Sequence, residues 1–227
     1  MKTARHVYSI RLLSPEALQQ VQQMLNHAPF VDGKATATEA AKEVKNNLQI
    51  DANDRTVLPH LQQIIGNALM AEPKFQHTFY AVNAYPFLFS KYGPGMGYGK
   101  HVDSPFMGNP PVRTDLAMTV FLDDPATYEG GELVICDGEN NVAYKPQAGE
   151  AVIYPCQYLH YVNEVTKGTR RVCVTWFRCS VRNAEQRQIL SDIKETHAAL
   201  AATDPQGKHT QLLLQTWSNL WRMWGDV

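Results

Sequence analysis

From residue 75 to 182 the chain carries no long helical period. Short runs of β-branched and aromatic residues are instead cut by Gly, Pro, Asn and Asp turns. Closely spaced short strands of this kind indicate a sandwich or barrel, and the absence of helices between them argues against a parallel α/β sheet. The clearest strands are expected at 114–122, 131–136, 150–154 and 171–179. They form the core of one α+β, mainly β, domain over 1–182.

Helices are expected on both flanks. Ser14-Pro15-Glu16 reads as an N-cap followed by proline at the first helical position. Leu18, Val21, Met24 and Leu25 then recur at helical spacing up to Pro29. A second stripe, Leu58, Leu61, Ile64, Ile65, Ala68 and Leu69, predicts a helix over 57–70 that Pro73 stops. Residues 183–227 read as a helical extension. Ile189, Ile193 and Leu200 mark one helix, Leu213, Trp217, Leu220, Trp221 and Trp224 a second, and Asp204–Gly207 the turn between them. Three tryptophans on one helix must pack somewhere. The β-core is the expected surface, with a homodimer contact as the alternative.

With 21 Lys+Arg against 22 Asp+Glu, the formal net charge is -1. That balance gives no general attraction to nucleic acid or anionic lipid, so neither is an expected partner. The 4 cysteines form no C-x-x-C pair and are too sparse for a disulfide framework, which fits buried thiols in a reducing compartment. The N-terminus lacks a continuous apolar stretch, and the most hydrophobic segment, 75–90, contains His77, Asn83 and Pro86. A cytoplasmic location is expected.

His101-Val102-Asp103 is the only H-x-D in the chain. Residues two apart on an extended segment point to the same side, so an imidazole and a carboxylate can meet one ion. His160 follows the apolar strand at 150–154, where a sheet edge would return toward that pair. Two histidines and a carboxylate make the facial set of non-haem Fe(II), and zinc accepts the same donors. Arg170 and Arg171 open the last strand, and either can clamp a carboxylate bidentately. Period-two reading puts Arg170 with Val172, Val174 and Trp176, and Arg171 with Cys173, Thr175 and Phe177. Both faces are mixed. The glycine-dense stretch Tyr92-Gly93-Pro94-Gly95-Met96-Gly97-Tyr98-Gly99 reads as a loop without the lysine of a nucleotide-binding loop. Tyr92 or Tyr98 is placed there to hydrogen-bond a carboxylate.

In the order YGKHVD, RTDLAMTVFLDDPATYEGGELVI and YPCQYLHYVNEVTKGTRR, the chain resembles the bacterial PKHD-type hydroxylases. These are 2-oxoglutarate- and Fe(II)-dependent relatives of prolyl 4-hydroxylase. The early FVDGKATATEAAKEVKNNLQI and the closing NLWRMW are similar to that family too, so the resemblance covers nearly the whole chain. It implies a double-stranded β-helix, or jelly roll, flanked by helices. It also implies iron ligands His101, Asp103 and His160, with Arg170 on the far carboxylate of 2-oxoglutarate and Tyr92 as a further contact. The activity implied is hydroxylation of an unactivated C–H bond with O2, coupled to decarboxylation of 2-oxoglutarate to succinate and CO2, with L-ascorbate as auxiliary reductant. The family's intact aspartate, here Asp103, favours hydroxylation over halogenation. The substrate is a peptidyl proline or lysine, or a small molecule such as a siderophore-like iron chelate. Segments 104–113 and 127–131 are expected to line its entrance. Two other classes compete. A zinc enzyme on the same fold needs no buried arginine facing the metal, and a non-catalytic binding module would keep its ligand in His101→Ala.

Overall fold

The computed structural model describes residues 4–36 and 42–226. Residues 37–41, the middle of the FVDGKATATEAAKEVKNNLQI segment, lie outside them. In chain order the strands are β1 (Tyr8–Arg11), β2 (Phe30–Asp32), β3 (Lys45–Asn46), β4 (Leu48–Ile50), β5 (Ala81–Ala84), β6 (Leu88–Tyr92), β7 (Met96–His101) and β8 (Phe106–Met107). They continue with β9 (Val112–Arg113), β10 (Leu116–Phe121), β11 (Glu129–Gly130), β12 (Leu133–Asp137), β13 (Asn140–Tyr144), β14 (Glu150–Pro155), β15 (Leu159–Lys167) and β16 (Arg170–Cys179). The helices are α1 (Pro15–Leu25), α2 (Leu58–Ala71), α3 (Pro73–His77), α4 (Ala184–Ala201) and α5 (Lys208–Trp224).

Local chemistry explains the helix ends. Ser14 Oγ accepts from Ala17 N–H at 3.2 Å and starts α1, as the sequence predicts. Asp54, upstream of α2, accepts from Val57 and Leu58 N–H at 2.8 and 2.7 Å. Pro73 ends one helix and begins another: Glu72 accepts from Lys74 N–H at 3.1 Å, and α3 follows.

The strands form two large antiparallel sheets, and β8 and β9 pair apart from them as a two-stranded ribbon. The larger runs β1-β14-β10-β16-β6-β4-β2, with β5 also on β16; the smaller runs β13-β12-β15-β7-β3, with β11 on β15. Alternation along the larger sheet's strands supplies two different cores. Leu116, Met118, Val120, Ala151, Ile153, Cys173 and Phe177 pack on Val21, Leu25, Leu61, Ile65 and Leu69 of α1 and α2. Their neighbours Ala117, Phe121, Val152, Tyr154 and Val172 turn to the other side and meet Leu133, Ile135, Val162 and Val165 of the smaller sheet. The central strands are therefore buried on both faces.

The C-terminal helices pack on a third cluster. Trp217, Leu220 and Trp224 cover Tyr80, Val181 and Leu190. Trp217 Nε1–H donates to Tyr80 Oη at 3.0 Å, and Trp221 meets the Tyr80 ring edge-on at 5.7 Å. All four cysteines are free thiols, three of them buried. Among the described residues no helix is long and apolar enough to cross a membrane.

Candidate functional site

Pairing between β7 and β15 builds the centre of the site. His160 and His101 are directly opposite in register, and their ring centroids lie 4.3 Å apart. Asp103 follows two residues past the end of β7, with its Oδ1 3.8 Å from His160 Nε2. The donor atoms of His101, Asp103 and His160 all lie within 4.8 Å of one another. The glycine-dense stretch is consequently not a loop throughout. It is the end of β6, a tight turn in which Gly95 takes φ +79°, and then β7, which delivers His101 to its partner.

Each imidazole is oriented by a backbone carbonyl. His101 Nδ1 lies 2.8 Å from Gly99 O, and His160 Nδ1 lies 3.0 Å from Tyr158 O. With Nδ1–H donating, Nε2 of each ring is left with its lone pair, and that of His160 faces Asp103, the usual outer support of a metal-binding histidine. Tyr98 stacks on His101 at 3.7 Å, and Tyr154 meets His160 edge-on at 5.1 Å. Burial, with the neighbouring His160, drives the His101 pKa down to about 4. Burial pushes the Asp103 carboxyl up, against His160 and the Trp176 indole, which pull it down. Among the described residues neither Trp176 Nε1 nor Asp103 Oδ2 has a hydrogen-bond partner. Two imidazoles and a desolvated carboxylate make a donor set that a divalent cation satisfies.

This group opens into a cavity of about 450 Å³ between the sheets, lined also by Tyr92, Arg170, Trp176 and Lys45. Arg170 is 1% exposed, yet its Nε and Nη1 have no hydrogen-bond partner and no carboxylate among the described residues pairs with it. Its guanidinium carbon sits 4.9 Å from the Tyr92 ring centroid and 5.1 Å from that of Phe121. A buried cation in this state is costly unless an anion joins it. Arg171 points the opposite way: it donates to Asp123 at 2.6 Å and to Asn26 at 2.8 Å. The two arginines thus separate by face, and Arg170 is the one that reaches the cavity. The tyrosines separate too, Tyr92 beside Arg170 and Tyr98 against His101.

The family model of the 2OG-Fe(II) oxygenase superfamily matches residues 87–178. A PKHD-type hydroxylase of Picosynechococcus sp. (strain ATCC 27264 / PCC 7002 / PR-6) is 40% identical over 216 residues, covering 95% of this chain and 97% of that one. A second, from Colwellia psychrerythraea (strain 34H / ATCC BAA-681), is also 40% identical over 216 residues, with 92% and 96% covered. This chain belongs to the PKHD-type hydroxylases. It is an enzyme, an oxidoreductase of the Fe(II)- and 2-oxoglutarate-dependent oxygenase class. In structure it is similar to a Pseudomonas putida prolyl-4-hydroxylase, with a TM-score of 0.54 at 15% identity over 77% of this chain and 92% of the other. It is also similar to a Trichoplax adhaerens prolyl hydroxylase solved with a hypoxia inducible factor peptide, with a TM-score of 0.55 at 15% identity over 82% and 87%.

The matched span contains Tyr92, His101, Asp103, His160 and Arg170, but other residues around this cavity carry no motif. Gly131, at φ +69°, leaves room for Arg170: a Cβ there would lie 2.8 Å from Arg170 Cδ. The adjacent glycines Gly130-Gly131 are the sequence signal for that close approach. Lys45, Asn47 and Gln49 line the cavity from an extended segment, and their polar spacing of two was the available cue. Of the expected entrance segments, Ser104, Phe106, Met107 and Gly108 line the cavity, whereas 127–131 does not; it backs Arg170 instead.

Proposed function

We propose that the two sheets form a double-stranded β-helix in which His101 Nε2, Asp103 and His160 Nε2 hold Fe(II). In this reading Arg170 binds the distal carboxylate of 2-oxoglutarate and Tyr92 supports it. The observation that carries the proposal is the buried guanidinium of Arg170, unpaired in the cavity onto which His101, Asp103 and His160 also face. A zinc enzyme would have no use for that arginine, and a structural arginine would be paired. When bound, Fe(II) and 2-oxoglutarate supply the oxidising chemistry by which O2 hydroxylates an unactivated C–H bond, with succinate and CO2 as coproducts.

The protein's own residues bind, orient and exclude water. Gly99 O and Tyr158 O keep both imidazoles in the binding tautomer. Leu133, Val162 and Tyr154 wall off solvent, and Phe106 and Met107 of the β8–β9 hairpin flank the space left for a substrate. That substrate is a peptidyl proline or lysine, or a small molecule such as a siderophore-like iron chelate, and L-ascorbate serves as auxiliary reductant. In this reading the dioxygenase domain spans 1–182, with its catalytic core at about 75–182, in a cytoplasmic protein, and the C-terminal helices, where Leu212, Leu214 and Met223 of α5 are exposed, offer the homodimer contact.

The test is anaerobic addition of Fe(II) and 2-oxoglutarate to the purified protein, followed by air. A weak visible charge-transfer band and slow succinate formation, both lost in His101→Ala, are expected. Retained zinc with neither signal would overturn the reading.

A further inference from the structure

Residues 45–50 cross from one sheet to the other along one side of the cavity. β3 pairs with β7 of the smaller sheet, Lys45 opposite Tyr98. β4 pairs with β6 of the larger, Leu48 opposite Lys91 and Gln49 opposite Ser90. Continuing the second register by one residue places Asn47 opposite Tyr92, and Tyr92 is itself opposite Arg170 on β16. Asn47, Tyr92 and Arg170 therefore form one row across neighbouring strands. Adjacent strands lie about 4.8 Å apart, so a ligand carboxylate held at one end of the row is within reach of the others.

Asn47 is 3% exposed and lines the cavity, and among the described residues neither its Nδ2 nor its Oδ1 has a hydrogen-bond partner. Its amide nonetheless lies near enough to Tyr92 to help draw down a phenol that burial raises, as Arg170 also does. Gly33 fits against the other side of the amide: a Cβ there would fall 2.0 Å from Asn47 Oδ1. With Oδ1 against Gly33, Nδ2 is the group left to donate into the cavity. A buried amide unsatisfied on both atoms is costly, and here it stands beside an equally unsatisfied guanidinium.

We infer that Asn47 is a further 2-oxoglutarate-binding residue, donating from Nδ2 to the distal carboxylate that Arg170 holds. The inference rests on the cosubstrate reading above. It adds a donor from outside residues 87–178, on the segment that ties the two sheets together.

Anaerobic, Mn(II)-loaded protein would be titrated with 2-oxoglutarate and with 2-oxobutyrate, which keeps the 2-oxo acid end but lacks the distal carboxylate. Asn47→Leu should weaken 2-oxoglutarate about tenfold, the loss of one hydrogen bond to a charged group. Asn47→Asp, which sets like charges together, should weaken it on the order of 100-fold. Both variants should keep wild-type affinity for Mn(II) and for 2-oxobutyrate. Unchanged 2-oxoglutarate affinity, an equal loss for both acids, or loss of Mn(II) binding in both variants would make Asn47 structural and overturn the inference. Wild-type protein that fails to bind 2-oxoglutarate, or Arg170→Gln that still binds it, would instead remove the underlying reading.

Discussion

His101 and His160 face each other across adjacent antiparallel strands, ring centroids 4.3 Å apart, each with Nδ1 held by a backbone carbonyl. Neither Nε2 needs to reorient to take a cation. Divalent metal should therefore stabilise the native state, by about 2.7 kcal/mol at 100 times the dissociation constant. Denaturant unfolding with and without Fe(II) under anaerobic conditions measures this, and His101→Ala or His160→Ala should abolish the difference.

Arg170 and Arg171 should fail in different assays. Arg170→Ala removes the cavity's buried guanidinium, so 2-oxoglutarate affinity falls while folding stability holds or rises, since an unpaired buried charge is lost. Arg171→Ala leaves Asp123 short of its partner and should cost about 2–3 kcal/mol of stability with cosubstrate affinity kept. Equal, mild effects from both variants would contradict the assignment of faces.

Gly131→Ala should impair the site without touching a ligand-contacting group. The position is in the left-handed region, where a Cβ costs about 1–2 kcal/mol, and the new methyl would press on Arg170 Cδ. A destabilised protein with at least severalfold weaker 2-oxoglutarate binding is the expected result. Wild-type affinity would show that Arg170 does not depend on this gap.

Burial lowers the Lys45 pKa to about 8, only partly offset by Asp32. Its folded pKa lies below the unfolded value of 10.5. The cost of burying the charge is therefore fully present below pH 8 and is relieved as pH rises toward 10.5. Lys45→Met should stabilise the protein at pH 7 by about 1–3 kcal/mol and remove the rise in stability between pH 8 and 10. Urea unfolding of both proteins across that range is the check; parallel curves would refute it.

The chain's local chemistry made much of this legible. Ser14, Pro15 and the apolar stripes place α1 and α2 because caps and helical periods act within a few residues. The central strands follow from β-branched runs bounded by turns, and H-x-D with a later histidine marks the metal candidates because donor chemistry is carried by residue type. Other features needed the tertiary structure. The β16 sequence does not say whether Arg170 or Arg171 enters the cavity: one face packs on helices and the other on the second sheet, so both carry apolar residues and the period of two is masked. The opposition of His101 to His160, and of Tyr92 to Arg170, depends on strand register between segments far apart in sequence. Asn47 joins them only because residues 45–50 change sheets there, a path that long-range pairing decides and local sequence does not.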